Sequence, residues 1–419
     1  MDLYIFEESS RAAVYGIGTY VKELTVALKD SGIKICVVHL RSDKKDMRKE
    51  EIDKIHHIHI PTTINQNTLL SFNKQSELYY KNVVYLLRMQ IKDKETPIFH
   101  LNYPSKKFAE ELKKSFDCSL VMTVHFFEWC ASLYGNVACF RKILTNQESD
   151  YGDELTKTVN HLYQKEKELF QTTDHIICLS EFAQHILQDD YQIEPDKITV
   201  IYNGITDRNT APDKLSLRQK YHIPDIPVFL FVGRLDDIKG LKYALQAFKI
   251  VLETQPHCHF IIAGDGTFNI YMKECEDVWM HVTWTGLISK DKLYDLYAIA
   301  DIGVMPSFHE QCSYVAIEMM MHGVPLIASN TTGLKEMVAD GVTGMHIPVI
   351  EHSDSAAIDT DLLAEKMLYL LQHPAERKRM GANARKRYEE RYSSGVFRQN
   401  MLDLYESLFR KDVEYSVRG

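Results

Sequence analysis

The sequence predicts an α/β protein of two doubly wound, Rossmann-like domains facing across a cleft. Three observations carry this. Short β-branched runs alternate with helix-period segments over residues 3–205. A polar stretch, TDRNTAPDK (206–214), interrupts them without apolar periodicity. The alternation then restarts with a second set of similar size. Alternation of this kind implies parallel sheets with helices on both faces.

The elements follow in order. LYIFE (3–7) reads as a strand and GTYVKELTVALKDSG as the helix after it. KICVVHL (34–40), PIFHLN, SLVMTVHF, HIICLS and ITVIYNGI continue the first set; the last four have the pattern of buried strands. PVFLFVG, HFIIAGDG, HVTWTG, IGVMPS, PLIAS and GMHIPV make the second. At the end, VFRQNMLDLYESLFRKD (396–412) spaces Phe397, Met401, Leu404 and Leu408 as a helix. The expected domains are 1–205 and 206–395, with the helix 396–412 crossing back onto the first.

Composition narrows the function. The 419 residues carry a net charge of −9. That disfavours nucleic acid as a partner, because phosphate backbones are held by basic surfaces. The N-terminus lacks the basic and apolar regions of a signal peptide. No apolar run approaches the roughly 20 residues that span a bilayer. Eight scattered cysteines, with no CxxC pair, are expected to be reduced thiols in a cytoplasmic protein. KKFAEELKK (106–114) could seat the first domain on an anionic membrane; a solvated amphipathic helix is the plainer expectation.

Ligands of open α/β sheets bind beyond the carboxyl ends of the strands, so the residues there are the site candidates. FVGRLDDIKG (231–240) places Gly233, Arg234 and Lys239 between a strand and a helix. Two cations at a helix N-terminus oppose its dipole unless an anion sits there. Pairing with Asp236 and Asp237 is the simpler alternative. IAGDG (262–266) repeats the strand–glycine form at Gly264. In SFHEQCSYVAIEMMM, Glu318 stands within an apolar helical run and Glu310 in the loop before it. A buried carboxylate costs several kcal/mol unless hydrogen-bonded. It therefore awaits either a polar ligand or an ion pair from a neighbouring helix. Gly16 and Gly18 start a helix, His125 ends a strand, and Asn203 lies in a strand-end NGI. Each of these can also be purely structural.

This set resembles the retaining nucleotide-sugar glycosyltransferases of family four, which have the glycosyltransferase B fold. The resemblance rests on the order of the Gly-rich loop, strand-end His, NGI, GRLDDIKG, GDG, PSFHEQCSYVAIE, GVPLIAS and TGLKEMVADGVTG. It implies a hexosyltransferase-type enzyme with an acceptor-side first domain and a donor-binding second domain. The donor would be a UDP- or GDP-linked sugar, used as co-substrate with no metal or other cofactor. The acceptor would be a glycan, a lipid-linked molecule or a peptide. Arg234 and Lys239 would hold the diphosphate, Glu318 the ribose hydroxyls, Glu310 and His125 the sugar. Gly16 and Gly18 would let the first loop close, and Leu287 would read the base through its backbone. Two departures stand out. Gln311, Cys312 and Ser313 replace the small residues usual after the first glutamate, and Ile17 splits the glycine pair.

The acceptor is assigned to Asn102 and to the long segment 125–154, whose Phe126, Phe127, Trp129 and Tyr134 offer stacking surfaces. Packing of these rings onto the core is the alternative. Two other functions share the fold. A nucleotide-sugar epimerase would need carboxylates near the anomeric carbon, where only His125 and Glu128 stand. A non-catalytic partner subunit should have lost the cations or glutamates, all four of which are present.

Overall fold

The computed structural model describes residues 2–8, 16–62, 71–91, 96–102, 105–145, 153–210, 212–352 and 355–418. The chain divides into two units. The first comprises Met1–Glu128, Lys157–Gly204 and Ser394–Gly419; the second comprises Trp129–Thr156 and Ile205–Ser393. The expected boundaries were 205/206 and 395/396. The segment Trp129–Thr156 differs: it was expected with the first domain and lies in the second unit.

The first unit holds β1 (Asp2–Glu8), β2 (Lys34–Ser42), β3 (Arg48–Ile52), β4 (Ile55–Pro61), β5 (Ile98–Leu101), β6 (Ser119–Val124), β7 (His175–Cys178) and β8 (Ile198–Val200). Their order is β3-β4-β2-β1-β5-β6-β7-β8. All neighbours pair in parallel except β3 and β4, an antiparallel hairpin that sequence reading did not single out. RKEEI is charged and exposed along its whole length, so it lacks the alternation that marks a strand. The terminal helix Ser394–Arg418 completes this unit. Its Tyr405 hydroxyl meets His100 Nδ1 at 2.6 Å, and Phe397 lies edge-on to Tyr20, 5.7 Å between centroids.

The second unit holds β9 (Val228–Val232), β10 (His259–Ala263), β11 (Val282–Gly286), β12 (Ile302–Met305), β13 (Leu326–Ser329) and β14 (Gly344–Ile347). Their order, β11-β10-β9-β12-β13-β14, is parallel throughout. β9 (VFLFV) and β12 (IGVM) are apolar on both faces because helices cover both. Phe229, Phe248 and Phe260 form the centre of the core. The strand order reverses between β9 and β12, and that switch point is where ligands of such sheets bind. The loops that leave these two strands carry Gly233–Lys239 and Ser307–Glu310.

The expected linker 206–214 ends earlier than its composition suggests. Asp213 accepts from the backbone of Ser216 at 3.0 Å and so caps a helix, Lys214–Lys220. Upstream, Asp207 is ion-paired to Arg385, and Asn209 donates to the Met321 carbonyl at 3.2 Å. Ile205 bridges to Ser393, so the chain enters and leaves this unit side by side.

Candidate active site

The second-unit site is built on two crossing loops. Beyond β9, the backbone of Leu235 pairs with Asp265 and Gly266 of the loop beyond β10. Gly264 permits this: a Cβ there would fall 1.7 Å from the Gly233 carbonyl oxygen. The two glycines singled out in the sequence thus form one close crossing. A second crossing lies beyond β12. The Thr332 hydroxyl donates to the Glu310 carbonyl at 2.9 Å, and the Gly333 amide donates to it at 2.8 Å. A Cβ on Gly333 would sit 1.6 Å from the Gln311 carbonyl oxygen.

These loops bring Lys239 and Glu310 together, Nζ to Oε1 at 2.5 Å. Both side chains are mostly buried, at 19% and 14% exposure. Lys239 thus pairs with Glu310, not Asp237. Arg234, half exposed, pairs with Asp236 at 3.2 Å, the simpler alternative weighed for it. Asp237 instead accepts from the Tyr271 hydroxyl at 3.0 Å. His309, buried beside Lys239, is held to a pKa of about 3 by desolvation and then by that ammonium, so it is neutral.

Gln311, Cys312 and Ser313 are buried. Ser313 accepts from the Ala316 amide and caps the helix Tyr314–Met321. Glu318 on that helix is 1% exposed. Its Oε2 accepts from the Tyr297 hydroxyl at 2.7 Å, and its Oε1 is ion-paired with Lys290. Both partners come from the helix Lys290–Ile299, the neighbouring-helix pairing considered as the alternative. Burial, then the Glu318 carboxylate, push the Tyr297 hydroxyl well above its ordinary range, so it remains a donor. Leu287, just ahead of that helix, is 63% exposed.

In the first unit, Gly16 and Gly18 lie in the first turn of the helix Gly16–Leu28. Residues 9–15, the rest of that expected loop, lie outside the described residues. His125 Nε2 meets Asn102 Oδ1 at 3.0 Å, so these two candidates form one pair. Desolvation holds His125 to a pKa of about 3, and the Tyr20 ring lies edge-on to it at 4.8 Å. Asn203 is buried at the end of the same unit. Glu128 is ion-paired to Lys165 at 2.8 Å.

The aromatic segment departs from expectation. Trp129 is fully buried and stacks on Phe140 at 4.0 Å, so it offers no free face. Phe127 is likewise buried, stacked on Tyr191 at 5.6 Å. Tyr134 packs edge-on to Phe308, and Gly135 sits against the Phe308 carbonyl. Only Phe126 of the four is exposed. Residues 146–152, the end of this segment, lie outside the described residues. Three of the four lysines of KKFAEELKK, Lys106, Lys113 and Lys114, are paired with Glu168, Asp174 and Glu111.

Sequence reasoning missed Lys290, Tyr297, His309 and Thr332. Lys290, Tyr294 and Tyr297 fall at i, i+4 and i+7, one face of a helix, but nothing in the sequence says which neighbour that face meets. Thr332 adopts a φ of +46°, unusual for a β-branched residue, and its two hydrogen bonds to Glu310 account for it.

Two Rossmann-like units, the second with its glycine crossings and Lys–Glu pair at the switch point, define a glycosyltransferase B fold. Residues 213–387 match the family Glycosyl transferases group 1, and residues 14–208 match Glycosyltransferase Family 4. The chain belongs to these family-four glycosyltransferases. Alpha-D-kanosaminyltransferase of Streptomyces kanamyceticus is 27% identical over 205 residues, 48% of this chain and 51% of that one. The chain spans little more than half the length of such curated relatives. Sucrose-phosphate synthase of Thermosynechococcus elongatus superposes with a TM-score of 0.76 at 21% identity, covering 98% and 99% of the two chains. HepE of Anabaena, solved with UDP and glucose, superposes with a TM-score of 0.71 at 16% identity, covering 97% and 100%. Among the described residues no helix is long and apolar enough to cross a membrane, and no cluster of three metal-type ligands occurs.

Proposed function

We propose that the chain transfers a sugar from a UDP- or GDP-linked donor to an acceptor hydroxyl, with retention of anomeric configuration. The observation that carries this is the Lys239–Glu310 pair at the switch point, with Arg234 on the same loop. Arg234 and Lys239 stabilise the charge that develops on the departing diphosphate. The bond from the anomeric carbon to the diphosphate oxygen breaks. The acceptor oxygen bonds on the same face, and the leaving phosphate oxygen takes the acceptor proton. No enzyme nucleophile and no metal is required. Glu310 orients the sugar and Glu318 the ribose. His125, neutral and donating through Nε2 to Asn102, keeps Nδ1 to accept a hydrogen bond from a sugar hydroxyl.

UDP bound in HepE supports a nucleotide donor. A glycan or glycoconjugate acceptor is proposed with it. The test is a thermal-shift series with UDP, GDP and ADP. A ligand at about 100 times its Kd adds ~2.7 kcal/mol of stability. Stabilisation by one diphosphate, lost in Arg234→Ala and Lys239→Ala, is expected; no stabilisation by any of them overturns the reading. Proton NMR of the first product formed reports the anomeric configuration.

A further inference from the structure

The two oxygens of Glu318 have unlike partners. Oε2 is held by Tyr297, which has no exposed surface. Oε1 is held by Lys290, whose side chain is 42% exposed and whose ammonium also lies 5.5 Å from the Tyr294 ring centroid. Lys290, Tyr294 and Tyr297 occupy one face of a single helix. Tyr294 and Tyr297 both pack on His322, at 5.4 and 5.3 Å, and His322 Nδ1 donates to the Glu318 carbonyl at 2.8 Å. Tyr297 is therefore locked from two sides, whereas Lys290 has open space to leave by.

We propose that Tyr297 is the positioning residue that fixes Glu318, and that Lys290 is a placeholder on Oε1 which the ribose diol of the nucleotide displaces. This rests on the nucleotide-sugar reading above and assigns the ribose contact to one atom. An ammonium and a hydroxyl both donate to a carboxylate oxygen, so the exchange keeps Oε1 hydrogen-bonded; the counter-charge is given up, and hydrogen bonds from the diol and from Tyr297 hold the carboxylate in its place. The released ammonium returns to water on its flexible stem.

Two measurements test this on the full chain. Calorimetry compares UDP and GDP with their 2′,3′-dideoxy forms. Tyr297→Phe should shrink the ribose-to-dideoxy affinity ratio by about fivefold, within the range for one ordinary hydrogen bond, while the dideoxy Kd stays put. An unchanged ratio, or equal weakening of both ligands, overturns the positioning role. The second uses wild-type protein, so no variant need fold. Acetylation of Lys290, read by mass spectrometry, should rise when the ribonucleotide saturates the site and not with the dideoxy form. Equal or lower acetylation with the ribonucleotide overturns the placeholder. If wild type binds neither UDP nor GDP, the nucleotide reading itself falls, which is a separate result from bound nucleotide with unchanged Lys290.

Discussion

Lys239 and Glu310 face each other at 2.5 Å across two loops that leave adjacent strands, β9 and β12. Each holds the other in place. In the proposed reaction, a diphosphate arriving at Lys239 would compete with Glu310 for the same ammonium. The two residues should therefore respond oppositely to mutation. Lys239→Ala is expected to weaken UDP or GDP binding by about 1.5–3 kcal/mol, the range for a hydrogen bond to a charged group. Glu310→Gln is expected to tighten the free nucleotide slightly and to slow transfer at least tenfold or so. Calorimetry with single-turnover kinetics checks both; weaker nucleotide binding in Glu310→Gln would contradict the competition.

Gly333→Ala tests the Glu310 loop without touching a charged group. The added Cβ would overlap the Gln311 carbonyl, so the loop must move. The expected cost is about 2–4 kcal/mol, in the range of backbone strain and overpacking. Transfer should fall more than nucleotide binding, because Glu310 shifts while Arg234 does not. A variant with wild-type kcat would show that the loop position is unimportant.

Trp129→Ala separates packing from acceptor binding. The stacked pair with Phe140 is a core contact, and truncating a buried Trp costs about 3–5 kcal/mol. The variant should lose thermal stability, with any loss of transfer tracking unfolded protein. Phe126→Ala, at the exposed ring, should leave stability within about 0.5 kcal/mol. A stable Trp129→Ala with only a raised acceptor KM would restore the stacking role.

Glu166 gives a pH dependence. Burial raises its pKa to about 7, against hydrogen bonds from Tyr191 and from the Glu128 amide at 2.6 Å. A carboxyl raised in the folded state binds more protons folded than unfolded. Its penalty is absent below the unfolded pKa near 4.5, grows as pH rises, and is complete above about 7. Stability should fall over that window by up to ~3 kcal/mol. Glu166→Gln should remove that part of the slope in melting curves taken between pH 5 and 8. An identical slope in the variant would assign the effect elsewhere.

If the proposed mechanism holds, EDTA should leave transfer intact, because Arg234 and Lys239 would supply the positive charge the diphosphate needs. Activity that returns only on adding magnesium or manganese would remove this mechanism.

The parallel strands were legible because fully buried strands write themselves as apolar runs: VFLFV and HIIC could hardly be anything else. The hairpin RKEEI–IHHIHIP was not, since an exposed edge strand has no buried face to report. Glu318 was legible as an anomaly, a charge in an apolar run. Its partners were not, because helix periodicity fixes which residues share a face and is silent about what that face meets. The rings of 126–134 misled for a related reason. Aromatic residues signal large buried area and binding surface alike, and only the fold distinguishes Trp129, under Phe140, from Phe126, in solvent.

The threading of the chain has a consequence for its synthesis. The second unit needs residues 129–156, which leave the ribosome long before the rest of it, and the first unit needs the helix 394–418, which leaves last. Tyr405 reaches His100 across 305 positions of sequence. The first unit therefore cannot close its core as translation passes its nominal boundary, whereas the second has all its pieces once residue 393 has emerged. The nascent first unit waits, with Tyr20 and His100 uncovered, until almost the whole chain has emerged. Splitting the gene at residue 205 should yield two fragments that each lack a piece of their own unit, the first the helix 394–418 and the second the segment 129–156, and co-expression should rescue what separate expression cannot.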